Sequence, residues 1–91
     1  MIIRIPATLT QDGKPGMIDL TVAGSASLQA VLDQVEARVP GATRKILDGQ
    51  GRPHRYVNMY VNGDDVRFGS GLNTTVSEND EVLILPAISG G

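Results

Sequence analysis

Four consecutive aliphatic residues, Val82-Leu83-Ile84-Leu85, stand between the acidic pair Asp80-Glu81 and Pro86. An apolar run this short, unbroken and closed by proline reads as a strand covered on both faces, and therefore central in a sheet. The rest of the chain must supply its neighbours. Ile3, Ile5, Ala7 and Leu9 alternate with Arg4, Pro6, Thr8 and Thr10, the period of a half-buried strand. Pro6 within that run predicts an edge strand or a bulge, because proline donates no ladder hydrogen bond. The stretch Gln11-Asp12-Gly13-Lys14-Pro15-Gly16 is dense in turn formers. Ile18, Leu20 and Val22 alternate again, so the two runs form a hairpin.

The period then lengthens. Leu28, Val31, Leu32, Val35 and Val39 fall at helical spacing, with Gln29, Asp33, Gln34 and Glu36 opposite. Ser25 or Ser27 caps the start, and Pro40-Gly41 ends the helix. Residues 42–53 form a mixed connection, with one short helical turn expected at Thr43–Leu47. Arg55 to Val61 reads as a strand, with Val57, Met59 and Val61 on one side and Tyr56, Asn58 and Tyr60 on the other. Asn62-Gly63-Asp64-Asp65 is a turn, and Val66-Arg67-Phe68 a short strand. A hairpin, a crossover helix and a last strand returning to the sheet centre describe an α+β chain of β-grasp, ubiquitin-like architecture. A mixed sheet of four to five strands packs on one main helix. Ninety-one residues make one domain, 1–86, followed by a flexible tail, 87–91.

Chemistry is scarce within that domain. His54 is the only histidine and the chain has no cysteine, so thiol catalysis and disulfides are excluded and a metal site lacks its usual ligands. The absence of cysteine agrees with a cytoplasmic location. His54 lies in the polar stretch Arg52-Pro53-His54-Arg55 and reads as a solvated loop residue. Neither Ser70 nor Ser89 has the setting of a catalytic serine. Gly69-Ser70-Gly71 and Gly49-Gln50-Gly51 lack the third glycine and the strand-then-helix context of a phosphate loop. Asp64-Asp65 and Asp80-Glu81 read as solvated turn carboxylates. A net charge of −2 without a basic run argues against nucleic acid, and no apolar stretch reaches the ~20 residues that span a bilayer. Nothing assembles an enzyme.

The tail is different. Ala87-Ile88-Ser89-Gly90-Gly91 follows the buried strand, and its glycine pair adds no packing while costing ordering entropy. A thin strip without side chains suits a narrow channel in a partner, and the group it delivers is the Gly91 carboxylate. A frayed terminus is the plain alternative. The run Glu81-Val82-Leu83-Ile84-Leu85-Pro86-Ala87-Ile88-Ser89-Gly90-Gly91 resembles the C-terminal signature of the ubiquitin-like sulfur carriers of the thiamine and molybdopterin pathways. The stretch from His54-Arg55-Tyr56-Val57-Asn58 through Asp64-Asp65-Val66-Arg67-Phe68 to Gly71-Leu72 is similar to the actinobacterial cysteine-biosynthesis carriers.

That resemblance implies a mechanism. An ATP-dependent activating enzyme adenylates the terminal carboxylate, and a sulfur nucleophile displaces AMP to leave a thiocarboxylate. The sulfur passes to an accepting enzyme, either a pyridoxal-phosphate cysteine synthase or a thiosugar- or thiazole-synthase-like enzyme. In the cysteine branch a metallopeptidase then frees the product. The carrier itself holds no cofactor. Gly91 and Gly90 carry the chemistry, while Phe68, Leu72, Ile88 and Ser89 are expected to meet partners. Phe68 reads equally well as core, given how few aromatics the chain has. A lysine-conjugated modifier, a molybdopterin-synthase small subunit and a plain interaction domain remain as other readings.

Overall fold

The computed structural model describes residues 1–9 and 16–86. The elements follow the order β1 (Ile2–Pro6), β2 (Met17–Thr21), β3 (Ala26–Ser27), α1 (Leu28–Arg38), α2 (Ala42–Ile46), β4 (Val57–Val61), β5 (Asp64–Asp65), β6 (Thr75–Val76) and β7 (Glu81–Pro86). Five strands form one mixed sheet in the order β2-β1-β7-β4-β5. β7 lies at its centre, parallel to β1 and antiparallel to β4. β3 and β6 pair separately. The architecture is a β-grasp.

Alternation along the strands sends Ile3, Ile5, Val57, Met59, Val82 and Ile84 to one face. There they meet Leu28, Val31, Leu32 and Val35 of α1, all fully buried, and the core is aliphatic throughout. Ser27 caps α1, its hydroxyl accepting from the Ala30 amide at 3.2 Å. The helix closes at Val39, whose amide donates to the Val35 carbonyl at 2.7 Å. Gly41 then takes a φ of +91°, which turns the chain into α2. The Glu36 carboxylate fastens that corner, accepting from the Gly41 amide at 2.7 Å, the Thr43 amide at 3.1 Å and the Thr43 hydroxyl at 2.5 Å.

Several expectations are corrected. β1 ends at Pro6 and a 3-10 turn, Ala7–Leu9, replaces the rest of the alternating run. The strand is interior, not an edge. Pro6 is tolerated because pairing with β7 covers only Ile2 to Arg4, so its missing donor falls past that ladder. The turn expected at Gln11–Gly16 lies outside the described residues except for Gly16. Val66–Phe68 is a 3-10 turn and the short strand is Asp64–Asp65. The Asp65 carboxylate accepts from the Arg67 amide at 2.9 Å and so caps a turn where alternation suggested a strand. β4 begins at Val57, two residues later than Arg55. β7 is central, yet only one of its faces is sealed: Val82 and Ile84 are fully buried, whereas Leu83 and Leu85 are half-buried. β3 and β6, two residues each, are too short to carry a period. Asn62 and Gly63, at φ +52° and +87°, make the tight reversal between β4 and β5.

Candidate functional site at the root of the tail

Ala87 to Gly91 lie outside the described residues, so Gly91, Gly90, Ser89 and Ile88 are not described. Their point of attachment is. Pro86 sits opposite Val57 and Leu85 opposite Asn58, so the ladder to β4 holds the root of the tail through the last residue of β7. β7 is fixed on its other side by β1. Pro86, the last described residue, thus belongs to the central strand of the sheet.

The outer face of that sheet carries Leu83 and Leu85, half-buried between neighbours. Tyr60 lies opposite both Leu83 and Asp65. From β5 the chain runs antiparallel to β4, back toward the level of Pro86. Phe68 follows there and is 89% exposed. It is not core. Its presentation is fixed by its neighbour: the Arg67 guanidinium donates to Asp65 Oδ2 at 3.1 Å and to Asn58 Oδ1 at 2.5 Å. The hydrogen bonds from the Arg67 guanidinium, followed by that from its amide, hold the Asp65 carboxyl below its ordinary range. The same pair holds the arginine above its own. Asn58 is Leu85's partner across the ladder, so one polar bracket joins the Phe68 turn to the tail root.

Leu72 is placed differently. It lies on a 3-10 turn, Gly71–Asn73, is half-buried and packs against the core. On the other side of the root, Tyr56 is 50% exposed and stacks on His54, with ring centroids 4.8 Å apart. His54 is half-buried, and its amide donates to the Ile46 carbonyl at 2.9 Å. Sequence reasoning assigned Asn58 and Arg67 no function. The available signal was Asp65-x-Arg67, an aspartate two residues ahead of a partner for its side chain.

An open hollow beside α2 is lined by Glu36, Thr43, Arg44, Asp48 and His54. Its carboxylates are committed to the backbone. Glu36 holds the corner at α2, and its pKa is lowered first by the Thr43 hydroxyl and then by the Gly41 and Thr43 amides. Asp48 accepts from the Gln50 and Arg52 amides at 2.8 and 3.0 Å, which lower its pKa as well. Among the described residues, no group of three or more His, Cys, Asp or Glu could hold a metal ion. Among them, too, no helix is long and apolar enough to cross a membrane.

Comparison with known proteins agrees with this geometry. The ThiS family model matches residues 11–91. The sulfur carrier protein CysO of Mycobacterium tuberculosis is 38% identical over 91 residues, covering 98% of this chain and 96% of that protein. The crystal structure of the Amycolatopsis orientalis BexX/CysO complex contains a chain that superposes with a TM-score of 0.80 at 33% identity, covering 99% of this chain and 98% of its own. Small archaeal modifier protein 3 of Haloferax volcanii is 37% identical over 71 residues, 77% of this chain and 75% of that protein.

Proposed function

The chain belongs to the ThiS family, and from that premise we propose that it is a sulfur carrier whose working group is the Gly91 carboxylate. The observation that carries the reading is the joint occurrence of a diglycine ending and a central strand that delivers it. β7 is paired with β1 through Leu83 and with β4 through Pro86, and Ala87-Ile88-Ser89-Gly90-Gly91 follow. A carboxylate is a poor acyl donor. Adenylation by an ATP-dependent activating enzyme gives it a leaving group, and attack by sulfide or a persulfide expels AMP and leaves a thiocarboxylate. The sulfur then passes to an accepting enzyme. Similarity to CysO favours a cysteine synthase as acceptor, the similar chain in the BexX/CysO complex supports a protein partner, and a thiosugar- or thiazole-synthase-like enzyme is the other acceptor.

The chain's own contribution is presentation. Glycine at 90 and 91 lets the tail enter a channel too narrow for side chains, while Ile88 and Ser89 contact its entrance. Phe68, exposed and braced by Arg67, supplies an apolar anchor beside the root, with Leu72 supporting the same surface from the core. The chain is a substrate of its partners and not itself an enzyme. Conjugation to lysines is the second reading, favoured by the similarity to a small archaeal modifier protein.

The test is loading. Incubation with the activating enzyme of the same genome, ATP, magnesium and a sulfide source is expected to exchange one oxygen for one sulfur in the terminal peptide, read by intact and peptide mass. Gly91→Val is expected to load poorly, because a branched side chain crowds the approach to the adenylate. Sulfur at any other position, or full loading of Gly91→Val, would overturn the mechanism. Isopeptide adducts on lysines in cells, without thiocarboxylate, would favour the modifier.

A further inference from the structure

Charge on this chain is divided between the two ends of the sheet. β1 and β7 run parallel, so Pro6 and Pro86 mark the same end. The turn Ala7–Leu9 continues from Pro6, and Lys45 donates to the Thr8 carbonyl at 3.4 Å, which places the end of α2 there. Val57 faces Pro86 across the ladder, and the exposed Arg55 and Arg52 lie on the connection that feeds it. Arg67 reaches Asn58 beside Leu85. Among the described residues, the acids at this end are fewer. Asp65 is paired with Arg67, Asp48 is turned onto the Gln50 and Arg52 amides, and Glu36 sits near Arg44 behind α2.

The opposite end is acidic along β7, β4 and β5. Glu81 opens β7 and follows Glu78 and Asp80. Asp64 lies opposite Val61, which is itself opposite Val82. The Asn62 side-chain amide and then the Ser77 amide lower the pKa of Asp80. Among the described residues two cations share that end: Arg38, over at the β2 corner on the Thr21 carbonyl, and the Met1 ammonium, buried against the Val22 and Glu78 carbonyls. Although the net charge is −2, cations outnumber carboxylates around the root of the tail among the described residues.

We infer that the cationic end docks on an acidic rim, a collar of Asp and Glu around the mouth of the activating enzyme's tail channel. The inference rests on the sulfur-carrier reading. A tail that must be threaded can enter only with this end leading, so the surface around Pro86 is the one that meets the rim. The acidic far end completes a dipole that turns the carrier tail-first during approach. Such steering raises association rates and weakens as salt screens it.

The test measures association of the full chain with the activating enzyme of the same genome, by stopped flow, from about 0.05 to 0.5 M NaCl. Arg52→Glu/Arg55→Glu reverses two exposed cations at the root. Glu78→Lys/Glu81→Lys reverses the far end. The first is expected to slow association about tenfold at low salt and to converge with the wild type at high salt. The second is expected to slow it much less, with circular dichroism confirming that both variants fold. Salt-insensitive association of the wild type, or equal effects of the two variants, would overturn the acidic rim. Thiocarboxylate yield is read in parallel. Steered association without any thiocarboxylate would count against the sulfur chemistry while upholding the rim, and loading that ignores both salt and charge reversal would do the opposite.

Discussion

Glu36 shows how one side chain holds the junction on which a helix turns. It gathers two amides and a hydroxyl at the corner between α1 and α2, and those donors favour its ionised form. Its folded pKa is lowered, so its contribution is complete above the ordinary value of 4.5 and fades as pH falls through the folded value. Glu36→Ala is expected to cost about 1 kcal/mol at neutral pH, as for a lost helix cap. In urea titrations that difference should shrink in acid. A gap that stays constant as the carboxylate protonates would remove Glu36 from this role. Phe68 is the converse case, a large apolar side chain with almost nothing around it. Phe68→Ala is expected to leave stability within about 0.5 kcal/mol, as at other exposed sites, while weakening association with the activating enzyme. A substantial loss of thermal stability would return Phe68 to a structural role. Composition could not separate these outcomes, because a scarce aromatic suits a core and an anchor equally. The Asp65 cap and the Arg67 bracket decide it: one joins a side chain to the backbone, the other joins two side chains, and periodicity encodes neither.

At the scale of elements, the long periodic segments were legible and the short ones were not. Leu28, Val31, Leu32 and Val35 place α1 within a residue or two of its observed bounds, and the Ser27 cap was one of two candidates. β3 and β6 carry no pattern, since two residues cannot alternate. The apolar run at β7 was read correctly as central and incorrectly as doubly sealed. Nothing within four aliphatic residues tells which face a helix will cover. The two faces should therefore respond unequally. Ile84→Ala is expected to destabilise by about 3 kcal/mol, as large-to-small changes in sealed cores do. Leu83→Ala, one residue away on the outer face, should cost about 1 kcal/mol, since it gives up only part of a buried side chain's worth. Denaturant midpoints at constant slope would measure both. Equal losses would mean that the outer face is covered as well as the inner one.

For the whole molecule, the proposed chemistry falls on a different stretch of chain from the core. Residues 1–86 hold the core, and the terminal glycines have no core-type side chains to add to it. Removing Gly90-Gly91 is expected to shift stability by no more than about 0.5 kcal/mol and to abolish sulfur loading. A marked drop in melting temperature would show that the tail braces the fold. The diglycine was legible in the sequence because it makes no sense as packing. The polarity of the charge was not, since Arg52, Arg55 and Arg67 reach one end, and Asp64, Glu78, Asp80 and Glu81 the other, only through the strand order. That order has one more consequence, for a chain still on the ribosome. β1 is made first and β7 last, yet β7 is the strand that β1 and β4 both lean on. A chain halted before residue 81 lacks the middle of its sheet, so the sheet is completed only once the segment that leads to the proposed reactive end has been made. Under the proposed function, a truncated product would lose the middle of its sheet and its acyl donor together, so a copy that folds would have been translated at least to the root of its tail.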